Sequence, residues 1–551
     1  MVRWYAQVAV RYIICSVVLF AASLLPAQVV PTFKSRTGLV LVPVLVNKGG
    51  KHLGGLTKAD FTLLENGVAR PIAAFEEVTV SSVARPQQRT SPGIFSNVLG
   101  TDQPQVTAIV LDLLNMPYLK QAFARQALVK FLRDLPQTDQ ATMLAVLTPD
   151  GLKVIHSFTQ DPAALLASVH AAKGQLTLQD KDDSKRAEQE IREAAIGFSE
   201  ARNKGVADME EVDRLTDLLT AVPNYFAQAR EMDITAQTLY QMRQLAGAMA
   251  GIPGRKSMLW VTGGLSVRSA PAPRSEAERR LINRGAEAGL NDLFDRTWAL
   301  LSDAGIAVYP IDVGEASVPG FSDVSFMNPA RTTSSVAKAQ AMLGFTNNTG
   351  GKYCGLQGTL ENCFRAAVED SARYYLLSFY AGSQAKTGWH KLQVKVAAPG
   401  AQVRARSGYF FSAGTETPAT RTADVTQVVT SPLDSTGISL AVHWLNPPSS
   451  EGGKVEFELF VDPQAVSFDG ESLNHFHLKV TAWAGMRDLK FTGQLSKSLE
   501  ATLKPASLER LQRTGVLYRD ALTLPKDAMA VRFVVRDEVS GRLGSVTAVL
   551  R

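Results

Sequence analysis

The chain has 551 residues, of which 45% are hydrophobic and 20% are charged. These values are ordinary for globular protein, and the length is enough for about three domains. The net charge of +6 comes from 58 basic and 52 acidic residues, and the basic residues are dispersed, whereas a nucleic-acid-binding protein concentrates Lys and Arg on one face or in one run. We therefore expect no nucleic-acid partner.

Residues 1–27 have the pattern of a secretory signal peptide. Arg3 and Arg11 precede an apolar run from residue 12 to residue 25, and Ala27 is a small residue suited to cleavage. The run of about 14 residues is shorter than the roughly 20 that a spanning helix needs, and an uncleaved anchor is the alternative. We expect an extracytoplasmic protein (periplasm, cell envelope or secreted) that meets the membrane only transiently through this segment.

The chain contains three cysteines, and Cys15 lies inside the predicted signal peptide. Cys354 and Cys363 remain in a chain that we expect to reach an oxidising compartment, where disulfides persist. Their separation is longer than the C-x-x-C spacing of redox-active pairs. The sequence therefore favours a structural disulfide between these two residues.

Hydrophobic patterning divides the rest of the chain into modules. Residues 33–85 alternate in period two and predict a β module, which residues 386–412 would complete because each segment is too small to form a core alone. Residues 86–104 and 413–425 are polar and predict linkers. Residues 426–551 show short alternating strands and predict a C-terminal immunoglobulin-like β-sandwich.

Residues 105–382 alternate strands with helices, interrupted by a charged, helical insertion at 174–232. The strands are predicted at 106–112, 140–147, 257–262, 306–312 and 373–380, and 151–158 is the hairpin partner of the second strand. Strands separated by helices predict a doubly wound, mostly parallel α/β sheet with right-handed crossovers. The predicted fold class is therefore α/β, flanked by antiparallel β modules.

Asp112 ends the first of these strands, at the sheet edge where open parallel sheets hold ligands. A hard cation there needs several oxygen ligands, yet Leu114 and Met116 follow where hydroxyls would be needed. The alternative is a carboxylate that caps the following turn. Asp312 ends another strand at the same edge and either joins a polar crevice or caps a loop.

Other motifs were weighed for chemistry. The glycines of residues 251–257 precede a strand instead of opening a helix, so this segment is not a phosphate loop. His475 and His477 share one face of a predicted strand and would bind zinc only with a third ligand. The sequence contains neither a G-x-S-x-G elbow nor an H-E-x-x-H helix, and we do not expect an enzyme.

The order of motifs resembles a bacterial von Willebrand factor type A-related family that was first described in acidobacteria. The resemblance covers about residues 38–411 and rests on Gly55–Phe61, Glu65–Gly67, Leu111–Asn115, Gly254–Lys256, Trp260–Gly264, Tyr374–Tyr380, Trp389–Leu392 and Arg404–Tyr409.

The resemblance implies a domain that binds protein ligands through a metal held by an Asp-x-Ser-x-Ser tip, a Thr and a Thr-Asp-Gly loop. Asp112 matches the first Asp, Leu114 and Met116 replace the serines, and Thr262 matches the loop, with Gly263 at its Asp position. Thr235 or Thr238 matches the lone Thr, and Asn115 would add an oxygen.

We therefore expect a degenerate metal site that uses no cofactor. The weak metal candidates are Asp112, Asn115, Thr235 and Thr262. The expected function is binding of a protein or envelope component; the alternatives are adhesion that depends on Mg²⁺ or Ca²⁺ at Asp112, and an extracytoplasmic hydrolase.

Overall fold

The computed structural model describes most of the chain beyond the predicted signal peptide. Residues 1–27, most of the 86–104 segment and much of the 174–232 insertion lie outside the described residues. Within the described part, no helix is both long and apolar enough to cross a membrane. The described residues are 39–79, 93–98, 106–116, 118–135, 140–172, 193, 209–265, 284–313, 329–354, 360–381, 386, 388–411, 417–446, 448, 452–469, 472–486 and 490–550.

These residues form helices and strands that we number in chain order. The helices are α1 (Tyr118–Asp134), α2 (Pro162–Ala171), α3 (Met209–Met249), α4 (Arg284–Asp303), α5 (Pro329–Thr349), α6 (Leu360–Ala372), α7 (Pro418–Thr430) and α8 (Pro505–Thr514). The strands of the first two thirds of the chain are β1 (Leu39–Lys48), β2 (Lys51–His52), β3 (Phe61–Glu65), β4 (Val68–Arg70), β5 (Ala74–Thr79), β6 (Ile94–Ser96), β7 (Val106–Asp112), β8 (Ala141–Thr148), β9 (Gly151–Thr159), β10 (Lys256–Thr262), β11 (Ile306–Asp312) and β12 (Arg373–Tyr380). The remaining strands are β13 (Gly388–Val396), β14 (Gln402–Ala405), β15 (Gly408–Phe411), β16 (Leu440–Trp444), β17 (Gly453–Val461), β18 (His475–Met486), β19 (Phe491–Thr502), β20 (Val516–Leu524), β21 (Ala528–Asp537) and β22 (Leu543–Val549).

The prediction of a doubly wound, mostly parallel α/β fold is wrong for this chain. The described strands form five sheets, and only one of them, β11-β10-β7-β8-β9, contains parallel pairs. Even this sheet is mixed, because β9 returns antiparallel to β8 as its predicted hairpin partner. Antiparallel pairing therefore dominates the fold.

The misassigned strand β12 explains part of this error. It follows helix α6, so the sequence pattern places it in the parallel sheet. In the structure it instead pairs antiparallel with β1 on one side and β5 on the other. Hydrophobic alternation identifies a strand but does not identify its partners.

The two terminal segments of the predicted first module share sheets. β13 pairs with β3, and β14 pairs with β1, so residues 388–411 complete the β structure of residues 39–79. The enclosed core consists of aliphatic and aromatic side chains, including Val42, Val44, Leu63, Tyr375, Leu377, Phe379, Leu392 and Tyr409.

The mixed sheet lies between two layers of helices. Because both faces are covered, β7, β8 and β10 are buried along their whole length and are almost entirely apolar. Helices α3, α4 and α5 pack on one face, and α1, α2 and α6 pack on the other. This arrangement fixes the strand ends on which the candidate site is built.

The C-terminal residues form two four-stranded antiparallel sheets around one core. Both predicted linkers contribute ordered elements to this region. Strand β6, from within residues 86–104, pairs with β16, and helix α7 occupies much of residues 413–425. The start of α7 has a recognisable signal, since Thr417 accepts a hydrogen bond from the Thr420 N–H at 3.2 Å and Pro418 follows at the first helical position.

The C-terminal sandwich meets the end of helix α3 through direct hydrogen bonds. The Thr436 hydroxyl accepts from the Gly251 N–H at 2.7 Å and donates to the Ala248 carbonyl at 2.9 Å. A Cβ atom at Gly251 would lie 2.3 Å from the Thr436 carbonyl oxygen. Glycine at this position therefore permits a backbone approach that no other residue would allow, and this gives Gly251 a structural role.

Cys354 and Cys363 form a disulfide, as the sequence predicts. Cys354 hydrogen-bonds to Pro310 of β11 through its N–H at 2.9 Å, and Cys363 lies on α6. Both residues are buried. The bridge therefore ties the start of α6 to the edge of the mixed sheet.

We expect the double variant Cys354→Ser/Cys363→Ser to lose about 2–3 kcal/mol in free energy of unfolding, because closure of a short loop no longer restricts the unfolded chain. Urea unfolding under oxidising conditions measures the difference. Reduction should destabilise the wild-type protein by a similar amount and leave the variant unchanged. A wild-type protein that is indifferent to reductant would contradict a stabilising role.

Candidate functional site

The candidate site lies where β7, β10 and β11 end. Asp112 is the last residue of β7 and is completely buried. Thr262 and Asp312 end the two neighbouring strands and are directly paired in register. Parallel strands therefore bring these three residues to one edge of the sheet.

Both carboxylate oxygens of Asp112 accept hydrogen bonds from the protein. Oδ2 accepts from the Asn115 side-chain amide at 2.7 Å, the Thr262 hydroxyl at 2.8 Å and the Trp260 indole N–H at 3.1 Å. Oδ1 accepts from the Asn115 backbone N–H at 3.1 Å. The capping role, in which a strand-tip carboxylate holds the following turn, thus describes part of what Asp112 does.

A second ring of contacts holds these donors in place. The Asn115 amide also donates to the Thr238 hydroxyl at 2.8 Å, and that hydroxyl donates to the Ile234 carbonyl within α3 at 2.9 Å. The Gly264 N–H donates to the Thr262 hydroxyl at 3.0 Å. Of the two threonines that the sequence offers, Thr238 joins the network, while Thr235 is buried elsewhere on α3.

Burial dominates the electrostatics of the site. It raises the pKa of Asp112 above its usual range, and the hydrogen bonds from Thr262, Asn115 and Trp260 act in the opposite direction. A buried carboxylate requires such donors, because an unpaired one would be costly. The network is therefore a self-contained solution to burying Asp112.

The residues present do not fit a Mg²⁺ or Ca²⁺ ion. These cations need about six oxygen ligands, whereas two N–H groups, from Asn115 and Trp260, point at the carboxylate. Leu114 and Met116 offer no oxygen from their side chains, and Asp312 accepts a hydrogen bond from the Tyr353 hydroxyl at 3.3 Å. Across the residues that the structure describes, no group of three or more His, Cys, Asp or Glu side chains is already arranged to hold a metal ion.

Gly263 adds a steric reason. A Cβ atom at this position would lie 2.3 Å from the Asn115 carbonyl oxygen, a separation that real Cβ atoms essentially never show. The loop after β7 therefore occupies the space that a side chain at residue 263 would need. This is the position where the resemblance implies an aspartate.

Trp260 is the participant that sequence reasoning missed. Its side chain is completely buried and packs against Phe345, with ring centroids 5.2 Å apart. A buried indole N–H needs an acceptor, and Asp112 is the acceptor that the neighbouring strand provides. That requirement was the available signal in the sequence.

A second buried polar cluster joins the mixed sheet to the first β module. The Arg255 guanidinium lies 3.4 Å from the Tyr309 hydroxyl, and the Arg255 backbone N–H donates to the Tyr374 hydroxyl at 3.2 Å. Tyr309 donates to Asp370 at 2.6 Å, and Arg404 also donates to Asp370. Burial raises the pKa of Tyr309 to about 12, which keeps it a neutral donor, so this cluster fixes how the two units pack.

A third cluster lies inside the first β module. Glu65 is buried and accepts hydrogen bonds from Arg70 at 2.6 Å, His390 at 2.9 Å and the Tyr409 hydroxyl. Burial alone would raise the pKa of Glu65, but hydrogen bonds from Tyr409 and Arg70 lower it below its usual value. These residues come from motifs that carry the family resemblance, and their role here is to hold the module together.

Lys256 is buried beside this junction. Its ammonium group donates to the carbonyls of Ile252 and of Gly254, the latter at 3.0 Å. Burial lowers the pKa of Lys256 to about 7. Between that value and the usual value of 10.5, the unfolded chain binds a proton that the folded protein does not.

We therefore expect wild-type stability to rise relative to a Lys256→Met variant as the pH increases from 7 to 9.5. The slope should approach about 1.4 kcal/mol per pH unit, because one extra proton is bound by the unfolded state. Urea unfolding of both proteins across this range measures it. A constant difference between the two proteins would contradict a neutral lysine in the folded state.

His475 and His477 lie on β18, as predicted, and their side chains point to the same side of the sheet. Glu500 of β19 approaches both of them. The zinc hypothesis required a third ligand, and this arrangement supplies a candidate outside the Asp112 site.

No protein-family model matches the chain, and no curated protein matches it. The resemblance to the von Willebrand factor type A-related family therefore stays a prediction from the motifs themselves. Export and the lack of enzymatic activity are also still predictions.

Proposed function

We propose that this is an exported, non-enzymatic protein that binds a protein or envelope component at the carboxyl edge of its mixed sheet, without a cation. One observation carries the proposal: the strand-tip carboxylate Asp112 is already satisfied by Asn115, Trp260 and Thr262. An edge that internal hydrogen bonds hold in place does not need an ion to assemble it. Such preorganisation lowers the entropic cost of binding.

The surface at this edge suits a macromolecular partner. Leu114, Asn115 and Asp312 are half-buried and offer one apolar and two polar side chains. Lys338 on α5 lies over the loop after β10, since a Cβ atom at Gly264 would be 3.0 Å from the Lys338 Cβ atom. A mixture of apolar and polar groups is typical of non-obligate protein interfaces.

We expect the immobilised full chain to capture one defined component from a detergent-solubilised envelope fraction, equally well in EDTA and in Mg²⁺. The variant Lys338→Glu should weaken capture about tenfold or more, because it reverses a charge at the proposed interface. The matched control is Arg133→Glu: this exposed residue ends α1 near the opposite edge of the sheet. Quantitative mass spectrometry of the captured proteins measures both effects.

Two results would contradict the proposal. Capture that EDTA abolishes and Mg²⁺ restores would favour cation-dependent adhesion. Equal loss of capture in Lys338→Glu and Arg133→Glu would show that the carboxyl edge is not the interface.

A further inference from the structure

Three metal-ligating side chains share the outer face of strands β18 and β19. His475 and His477 alternate with the core residues Phe476 and Leu478 along β18. In the antiparallel register His477 lies directly opposite Glu500, and opposite residues project to the same face. The sheet itself therefore gathers two imidazoles and one carboxylate.

The distances show that both rings face the same carboxylate. His477 Nε2 lies 3.7 Å from Glu500 Oε2, and His475 Nε2 lies 3.9 Å from Glu500 Oε1. These separations are too long for hydrogen bonds. The His477 Nε2 atom is buried and has no hydrogen-bond partner among the described residues, so it is a ligand atom without a structural role in this arrangement.

Asp469 orients the first ring. Its Oδ1 atom lies 2.5 Å from His475 Nδ1, and because an ionised carboxylate only accepts, Nδ1 carries the proton. The Nε2 lone pair of the neutral ring is then directed towards Glu500. Histidines that bind metals ordinarily use one nitrogen for the metal and donate the other N–H to a carboxylate or carbonyl.

We propose that His475, His477 and Glu500 form a Zn²⁺ site on the C-terminal sandwich, with Asp469 as a positioning residue. Imidazole ligands favour zinc over Mg²⁺ or Ca²⁺. Three protein ligands leave a fourth, open position on a tetrahedral ion for water or an incoming group.

The site needs only a small adjustment. Bonds of about 2.0–2.1 Å place two ligand atoms of a tetrahedral zinc about 3.4 Å apart, so the present separations of 3.7 and 3.9 Å are slightly too wide. The Glu500 side chain is 56% exposed and can rotate towards the rings. This difference in spacing accounts for the lack of a finished metal-binding group in the described residues.

The test is zinc titration of the purified full chain, prepared without a polyhistidine tag, by isothermal titration calorimetry. We expect one equivalent of Zn²⁺ to bind, and one equivalent of Co²⁺ to give the visible absorption of a four-coordinate ion. His477→Ala or Glu500→Gln should weaken binding at least tenfold by removing a ligand. Asp469→Asn should weaken it about 10- to 100-fold through loss of orientation.

His443→Ala is the matched control, because His443 is an exposed histidine on β16 in the opposite sheet. It should bind zinc as the wild-type protein does. Thermal unfolding shows whether each variant is folded, and zinc should raise the melting temperature of the wild-type and control proteins alone. Absence of stoichiometric binding to the wild-type protein, or unchanged binding in His475→Ala/His477→Ala, would overturn the proposal.

Discussion

The Asp112→Ala variant is expected to lose about 3–4 kcal/mol in free energy of unfolding, with or without divalent cations. Removing the carboxylate leaves the Trp260 indole N–H and the Asn115 amide short of an acceptor in a buried site, and each unsatisfied buried donor costs about 1–3 kcal/mol. Equilibrium urea unfolding in EDTA and in Mg²⁺ measures the effect. The wild-type protein should also give no binding heat when Mg²⁺ or Ca²⁺ is added.

The control for Asp112→Ala is Thr262→Val, which removes one donor and keeps the acceptor. Its cost should be smaller, about 1 kcal/mol, because the remaining donors to Asp112 are still paired. A wild-type heat of Mg²⁺ binding that Asp112→Ala abolishes would contradict the assignment of this residue to an internal network. Equal destabilisation by both variants would show that the donors do not depend on Asp112.

The Gly263→Asp variant should be destabilised by about 3–5 kcal/mol and should not gain cation binding, even when combined with Leu114→Ser and Met116→Ser. Its Cβ atom would meet the Asn115 carbonyl oxygen at 2.3 Å, so the loop must move and the Asp112 network must break. Overpacking and an unpaired buried carboxylate both contribute to this cost. Urea unfolding and calorimetric titration with Mg²⁺ measure the two outcomes.

Gly289→Asp is the matched substitution for Gly263→Asp. Gly289 is an exposed residue of α4, and a Cβ atom there would have no described atom within 4 Å. We expect this variant to keep wild-type stability or to gain slightly, because glycine is a poor helix former. A Gly263→Asp protein that is stable and binds Mg²⁺ would show that the ancestral-type ligand set fits this loop.

Individual strands and local turns were predictable from the sequence, because the alternation of side chains reports local burial. The predicted strands 106–112 and 306–312 have the same bounds as β7 and β11. The shared face of His475 and His477 and the pairing of Cys354 with Cys363 also follow from local geometry or from spacing. None of these features depends on which distant segment packs nearby.

The remaining features depend on long-range partners, which a single sequence does not contain. Strand β12 has the same apolar character whether it lies in a parallel or an antiparallel sheet, so its pairing with β1 was out of reach. Helix α7 was read as a linker because its composition is polar. The Arg532 guanidinium, which donates to the Val429 carbonyl at 2.9 Å, shows that contacts from β21 hold the end of this helix.

The candidate site divides in the same way. Asp112 was predicted because it ends an apolar strand, and Asn115 because it lies in the same turn. Thr238 and Trp260 come from other elements, and only the packing of α3 and β10 against β7 brings them to Asp112. The sequence predicted a carboxylate at a strand tip but not the donors that neutralise its need for a cation.

The contact between Thr436 and the end of α3 has a mechanical consequence. The same helix touches the C-terminal sandwich near Gly251 and supports Asn115 through Thr238, so it acts as a lever with a fulcrum in one domain and a load in another. A ligand that displaced Asn115 would work against both attachments. Tension on the sandwich would in turn be felt at the sheet edge, and the two domains would report each other's loads.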